Sequence, residues 1–106
     1  MIEELTGLKV ERYLSYDSEG EVFGYPDQVE LDIVIKNETV WVMEIKSSVS
    51  KADAYIFSKK VNFYEKKEGK KVSRKIIVSP MIDPAAKSVA ENLGIEYYTA
   101  PEDMPA

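Results

Sequence analysis

The chain contains no cysteine and no histidine among its 106 residues. The absence of cysteine excludes disulfides, zinc ribbons and thiol nucleophiles. The absence of histidine excludes histidine–metal sites and Ser-His triads. Any acid–base or metal chemistry must therefore use carboxylates, lysine, tyrosine or water.

Long apolar segments are also missing, because the longest purely apolar run covers only residues 40–43. A membrane helix needs about 20 such residues. The sequence MIEELTG at the start lacks a basic region followed by an apolar one, so we expect no signal peptide and a cytoplasmic protein. With 44% hydrophobic and 31% charged residues, the composition predicts one globular domain over residues 1–106.

The net charge of −5 argues against binding nucleic acid over the whole surface. The basic residues are nevertheless concentrated in one segment. Eight of the 14 are Lys59, Lys60, Lys66, Lys67, Lys70, Lys71, Arg74 and Lys75. Such a cluster can form a local phosphate-binding patch. The alternative is a solvated helix end and loop.

Hydrophobic periodicity predicts the element order β-β-β-α-β-α-β. The elements are strands at 8–16, 29–36 and 39–46, a helix from 50 to 69, a strand at 75–79, a helix from 83 to 94 and a strand at 95–99. The first helix opens with a capping-box-like Ser50 and Asp53 and ends at Gly69. The second opens with Asp83 as N-cap and proline in its first turn.

Three weaker features complete the pattern. We expect one turn of helix at residues 2–6 closed by Gly7, a short extra strand at 21–23, and a loose tail at 101–106. A meander followed by right-handed β-α-β crossovers predicts an α/β fold, with a mixed sheet flanked by helices.

Three charged residues interrupt the two central strands. Asp32 lies within L-D-I-V-I, and Glu44 and Lys46 lie within V-W-V-M-E-I-K. Charges in such runs are costly unless they are paired or bound to a cation. Two further Glu-x-Lys triplets, at Glu65 and Glu68, fall on the polar end of the predicted helix and are best interpreted as chance matches.

The positions of these charges predict the length of the turn that joins the two central strands. Asp32 lies opposite Glu44 only if paired residue numbers sum to 76, which leaves a three-residue turn at 37–39 and sets Glu30 opposite Lys46. A two-residue turn would give a sum of 75, place the acids on opposite faces and argue against the site. Two facing carboxylates need a cation between them, and oxygen ligands suit Mg²⁺ or Mn²⁺.

An acid on one strand, followed by Glu-x-Lys on the next, resembles the PD-(D/E)XK nuclease superfamily. The resemblance implies a restriction-endonuclease-like fold and metal-dependent hydrolysis of DNA phosphodiester bonds. It implies Asp32, Glu44 and the backbone carbonyl of Ile45 as ligands of Mg²⁺ or Mn²⁺. It also implies Lys46 as the catalytic lysine that assists the attacking water.

Other residues have accessory roles on this interpretation. Glu30 either binds a second metal or pairs with Lys46, and we favour the pairing. Lys51, Tyr55 and Lys59 are candidate phosphate contacts. The alternatives are core packing for Tyr55 and simple solvation for Lys59. We expect Trp41 to belong to the core, because it alternates to the face opposite Glu44.

Two departures from the superfamily pattern qualify the resemblance. The dipeptide Pro26-Asp27 repeats the letters of the family name, but we expect it in a loop and out of phase with Asp32, which we favour as the ligand. The superfamily core normally begins with a full helix, and residues 1–7 supply barely a turn. We therefore expect that helix to be missing or truncated and a homodimer to cover the exposed face.

Two functions stay open on the sequence. The first is a metal-dependent DNA nuclease, and the second is a catalytically inactive nuclease-like module for DNA binding or assembly. A third interpretation makes the charges a salt-bridged polar face of the sheet. The substrate form, whether single-stranded, duplex or branched DNA or RNA, is not specified by the sequence.

Overall fold

The computed structural model describes residues 8–105, so the helical turn expected at residues 2–6 lies outside the described residues. The elements are β1 (Leu8–Asp17), β2 (Asp27–Lys36), β3 (Thr39–Ile45), α1 (Lys51–Glu68), β4 (Arg74–Val78), α2 (Pro84–Asn92), β5 (Glu96–Tyr98) and a short 3-10 helix (Pro101–Asp103). The predicted element order is confirmed. The extra strand expected at 21–23 is wrong, because those residues form turns.

The five strands form one mixed sheet in the order β1-β2-β3-β4-β5. The first three strands make an antiparallel meander. β4 is parallel to β3 and β5 is parallel to β4, with α1 and α2 as the crossovers. Parallel neighbours require such crossovers, so the predicted α/β mixed sheet is confirmed. Neither helix in the described part of the chain is long and apolar enough to cross a membrane.

The start and end of α1 follow the signals in the sequence. The Ser50 hydroxyl accepts a hydrogen bond from the Asp53 amide at 3.2 Å, and the Asp53 carboxylate accepts one from the Ser50 amide at 2.9 Å. This reciprocal capping box satisfies two amides that the helix leaves free. Gly69 ends the helix with φ 64°, a left-handed conformation that glycine adopts without strain. The side chain of Asp83 makes no capping hydrogen bond to α2.

The sheet has a helix face and an outer face, and apolar side chains pack on both. The helix-face core comprises Leu31, Ile33, Val42 and Ile77 of the sheet, Ala54, Phe57, Val61 and Tyr64 of α1, and Ala86, Val89 and Ala90 of α2. The outer-face core comprises Val34, Trp41, Ile76 and Val78, with Met43, Tyr98 and Met104 against it. Trp41 is a core residue, as predicted. The segment expected to be a loose tail instead contributes Met104 to the outer face.

The β1 end of the outer face carries exposed apolar side chains. Val10, Leu14 and Tyr16 are each more than half exposed, at 59%, 56% and 54%. A homodimer that covers this face stays a prediction.

The β2–β3 hairpin corrects the predicted register. Lys36 pairs with Thr39, so only Asn37 and Glu38 form the turn, with φ 50° and 69°. Positive φ at both central residues defines a type I′ turn, whose twist matches that of the flanking strands. Paired residue numbers sum to 75, with Asp32 opposite Met43. The predicted three-residue turn and the direct opposition of Asp32 and Glu44 are therefore wrong.

The left-handed conformation of Glu38 gives a direct test of this register. We predict that Glu38→Gly stabilises the protein by about 1 kcal/mol, because a residue with a Cβ is strained at φ 69° and glycine is not. Urea unfolding of the two proteins measures the difference. Glu38→Ala, which keeps the Cβ, serves as the control and should give no comparable gain. A loss of stability in Glu38→Gly would contradict the two-residue turn.

Candidate active site

The β2–β3 ladder ends at the pair Asp32–Met43. Beyond it, the first residues of β2 pair only with β1, and Glu44 and Ile45 pair only with β4. The two strands therefore separate and leave an open cleft, with a volume of about 220 Å³. The side chains around this cleft are Arg12, Glu30, Leu31, Asp32, Met43, Glu44, Ile45, Lys46 and Lys60.

Asp32 and Glu44 reach this cleft from opposite faces of the sheet. Asp32 is in phase with Val34 of the outer-face core, and Glu44 is in phase with Val42 of the helix-face core. Strict alternation would keep the two carboxylates apart within a continuous ladder. They line one cleft because the ladder stops between them. The structure thus brings the two acids to one place by strand separation rather than by the predicted pairing.

Glu44 is held by a lysine of α1. The Lys60 ammonium donates a hydrogen bond to Glu44 Oε1 at 2.6 Å, and each side chain is only 14% exposed. Sequence reasoning placed Lys60 only in the basic cluster and missed this role. A signal was available, because Lys60 follows Phe57 by three residues and precedes Tyr64 by four. Both of those side chains are buried, so Lys60 lies on the same sheet-facing side of the helix.

Asp32 is held by an arginine of β1. Arg12 lies directly opposite Asp32 in the ladder, and its guanidinium contacts Asp32 Oδ1 at 3.0 Å and Glu30 Oε2 at 3.2 Å. Glu30 therefore pairs with Arg12, and the favoured pairing of Glu30 with Lys46 is wrong. The cause is the one-residue change of register. The Arg12 side chain is 60% exposed, so these exposed pairs contribute less than about 1 kcal/mol each.

Lys46 lies at the cleft beside a second anion. Its ammonium is 3.8 Å from Asp53 Oδ1, and its backbone amide donates to the Val78 carbonyl at 3.0 Å. Burial favours a raised pKa for Asp53, but hydrogen bonds from Ser50 and the charge of Lys46 outweigh it and hold the pKa below its ordinary value. Asp53 therefore stays ionised at neutral pH and holds the Lys46 ammonium near the cleft.

The three candidate phosphate contacts lie on the exposed side of α1. Lys51, Tyr55 and Lys59 are four residues apart and share one stripe of the helix. Tyr55 is 46% exposed, so the alternative of core packing for this residue is wrong. Lys51 and Lys59 are also exposed. None of the three lines the cleft itself.

The predicted basic cluster is largely engaged in structural contacts. Five of its members bind oxygen atoms elsewhere in the fold: Lys60 to Glu44, Lys66 to Glu21, Lys67 to the Tyr16 carbonyl, Arg74 to Glu96 and Lys75 to the Leu93 carbonyl. These contacts tie most of the segment to the rest of the fold, and a phosphate-binding patch there stays a prediction.

Asp27 of the Pro26-Asp27 dipeptide is the first residue of β2 rather than part of a loop. Its carboxylate accepts a hydrogen bond from the Gln28 amide, and it is not among the residues that line the cleft. Asp32, and not Asp27, therefore lines the same cleft as Glu44.

The donor types at the cleft suit a hard divalent cation. They are carboxylates, with Ile45 beside them at the cleft, and the chain contains no thiol or imidazole. Within residues 8–105, no three acidic side chains converge closely enough to hold a metal ion. Lys60 and Arg12 supply the positive charge instead. The ligand set fits Mg²⁺ or Mn²⁺ in kind, and a metal bound there would share or replace those basic partners.

Comparison with known proteins places this geometry in context. A family model described as the PD-(D/E)XK nuclease superfamily matches residues 27–96, which is well over half of the chain. The matched region contains Asp32, Glu44 and Lys46, so the resemblance inferred from these residues is confirmed. No curated protein matches the chain.

A solved structure of EndoMS in its apo form has a similar fold. The TM-score is 0.59 at 20% sequence identity, and the match covers 86% of this chain and 37% of the EndoMS chain. The chain thus spans little more than a third of that protein. At this identity the likeness supports the restriction-endonuclease-like fold.

The Glu44–Lys60 pair should dominate the electrostatic contribution of the cleft to stability. We predict that Glu44→Gln destabilises the protein by about 3 kcal/mol, because it leaves a largely buried ammonium without its anion. The double variant Glu44→Gln/Lys60→Met should recover most of that loss. A double-mutant cycle in urea measures the coupling. The matched cycle on Arg12 and Asp32 should give less than about 1 kcal/mol, and equal coupling for both pairs would contradict the assignment.

Proposed function

Because this chain belongs to the PD-(D/E)XK nuclease superfamily, we propose that it is a metal-dependent nuclease that hydrolyses DNA phosphodiester bonds at the cleft. The observation that carries the proposal is the environment of the Glu44 carboxylate. This carboxylate is largely buried and lies where β2 and β3 separate. The Lys60 ammonium is 2.6 Å from its Oε1 atom. A carboxylate so placed requires positive charge beside it, and a divalent metal meets the same requirement.

The proposed ligands are Asp32, Glu44 and the carbonyl of Ile45, with Mg²⁺ or Mn²⁺ as the metal. Such an ion, when bound, polarises the phosphate and lowers the pKa of a coordinated water. Lys46 lines the same cleft two residues beyond Glu44. Its ammonium can orient the attacking water or stabilise the negative charge that develops on phosphorus-bound oxygen. Glu30 is an accessory acid at the outer edge of the cleft.

In the metal-free protein, Lys60 supplies the positive charge beside Glu44 that a metal would otherwise supply. Its ammonium compensates the charge of Glu44 while no divalent ion is bound, and the hydrogen bond holds the carboxylate at the cleft. Binding of a metal by Glu44 requires the ammonium to withdraw or to share the carboxylate. Lys60 is a positioning residue in this proposal, since it acts on the reaction only through Glu44.

DNA would approach along α1. Lys51, Tyr55 and Lys59 form an exposed stripe on this helix, and α1 also supplies Lys60 to the cleft. Two lysines spaced by two turns of helix can contact phosphates of one strand, with affinity that falls as salt rises. The net charge of −5 makes such a local contact more important than any field of the whole protein.

The second candidate function is a nuclease-like module that binds DNA or a partner without cleavage. The observation in its favour is that Asp32 and Glu44 each already have a basic partner, Arg12 and Lys60. A site compensated in this way has no need of a metal for stability. The two functions differ in whether a divalent ion binds and whether that binding depends on Glu44.

Calorimetric titration of Mn²⁺ separates the two functions. We predict that the wild-type protein binds Mn²⁺ and nicks plasmid DNA, and that Glu44→Gln and Asp32→Asn lose both properties together, because each removes a charged ligand. Glu68→Gln is the matched control, since Glu68 belongs to another Glu-x-Lys triplet and lies outside the cleft. The absence of Mn²⁺ binding to the wild type, or its persistence in Glu44→Gln, would favour the non-catalytic module.

A further inference from the structure

The loop between β1 and β2, residues 18–26, is held in one shape by its own contacts. The Asp17 side chain is 1% exposed, and its Oδ2 accepts a hydrogen bond from the Val22 amide at 2.8 Å. Val22 is fully buried against Val29 and Phe63. Gly20 has φ 69°, and a Cβ there would lie 2.8 Å from the Tyr25 backbone nitrogen, so the loop closes too tightly for a larger residue.

This loop presents two aromatic rings beside the cleft. Phe23 and Tyr25 stack with ring centroids 6.0 Å apart and an interplanar angle of 24°. The Lys60 ammonium lies 5.9 Å from the centroid of Phe23 and 2.6 Å from Glu44 Oε1. One lysine therefore contacts both the inner ring and the proposed metal ligand. Tyr25 is the outer ring and is 58% exposed.

The burial of the two rings indicates different roles. Phe23 is half-buried and packs against the cluster formed by Val22, Val29 and Phe63. Tyr25 has no such place in the core, and its ring rests on Phe23 with most of its surface open to solvent. A loop that needed Tyr25 for its own stability would bury it. A rigid loop that exposes a supported aromatic ring provides a stacking platform.

An aromatic platform beside this cleft is suited to binding a nucleobase. Nucleobases stack on aromatic side chains whatever their identity, because every base has an aromatic face. Within a duplex, neighbouring base pairs cover both faces of each internal base, so only an unpaired base can stack on a protein ring. We propose that Tyr25, supported by Phe23, binds an unpaired nucleobase of DNA next to the cleft. The protein therefore prefers single-stranded or locally unpaired DNA, an inference that rests on the proposed function.

Fluorescence anisotropy with a labelled DNA strand tests the platform directly. The full chain is titrated into each DNA in the presence of EDTA, where no cleavage occurs. The three DNA forms are an oligothymidine of 15 nucleotides, the same strand with central abasic sites, and a blunt duplex of equal length. We expect the oligothymidine to bind at least tenfold more tightly than the abasic strand, in line with the contribution of a single stacked base. The comparison uses the wild-type protein alone and does not depend on the folding of any variant.

Substitutions then assign the effect to Tyr25. Tyr25→Leu should lose about tenfold in affinity for oligothymidine, whereas Tyr25→Phe, which keeps the ring, should retain it. Tyr16→Leu is the matched control, because Tyr16 is a similarly exposed tyrosine on β1, at 54%. Thermal unfolding of each variant verifies that it is folded.

The possible failures are distinguishable. Equal binding of the oligothymidine and the abasic strand, or unchanged affinity in Tyr25→Leu, would overturn the platform while leaving DNA binding intact. The absence of binding to any of the three DNA forms would overturn the proposed function and the platform with it.

Discussion

The ion pair between Glu44 and Lys60 is the interaction on which the rest of the cleft depends. It joins β3 to α1 through two side chains that are each 14% exposed, so neither charge can be left alone without a large loss of stability. The same ammonium reaches the ring of Phe23 in the β1–β2 loop. Sheet, helix and loop therefore converge at one lysine. A change at Glu44 therefore removes the anion from a lysine that belongs to α1 and also contacts the aromatic platform.

The second constraint is the separation of β2 and β3 after the pair Asp32–Met43. It creates the cleft, and it lets acids from opposite faces line one volume. The family match places the chain in the PD-(D/E)XK nuclease superfamily, and the likeness to EndoMS supports the fold of this sheet. The compensation of Asp32 by Arg12 and of Glu44 by Lys60 is the feature that an active enzyme must overcome and that an inactive module would keep. This is why metal binding, rather than fold, decides between the two functions.

The sequence predicted those features that local periodicity and capping determine. The order of strands and helices, the Ser50–Asp53 box and the end of α1 at Gly69 depend on residues close together in the chain. The register of the hairpin was missed because the residue types at Asn37 and Glu38 do not distinguish a two-residue turn from a three-residue turn. A shift of one residue moves every side chain of the strand to the other face of the sheet. The partner of Glu44 was missed because it lies on another element and is chosen by packing. Charged residues in strands thus located the cleft, whereas their pairing required the tertiary structure.

A crystal structure of the protein grown with Mn²⁺, with the ion located by its anomalous scattering, tests the central claim most directly. The expected result is an Mn²⁺ ion in the cleft bound to Glu44, with the Lys60 ammonium moved beyond hydrogen-bonding distance of Glu44 Oε1. A structure in which the Lys60–Glu44 contact stays at 2.6 Å at saturating Mn²⁺, with no ion in the cleft, would contradict it. The carboxylate would then be a structural charge, and the domain would be a nuclease fold without the chemistry.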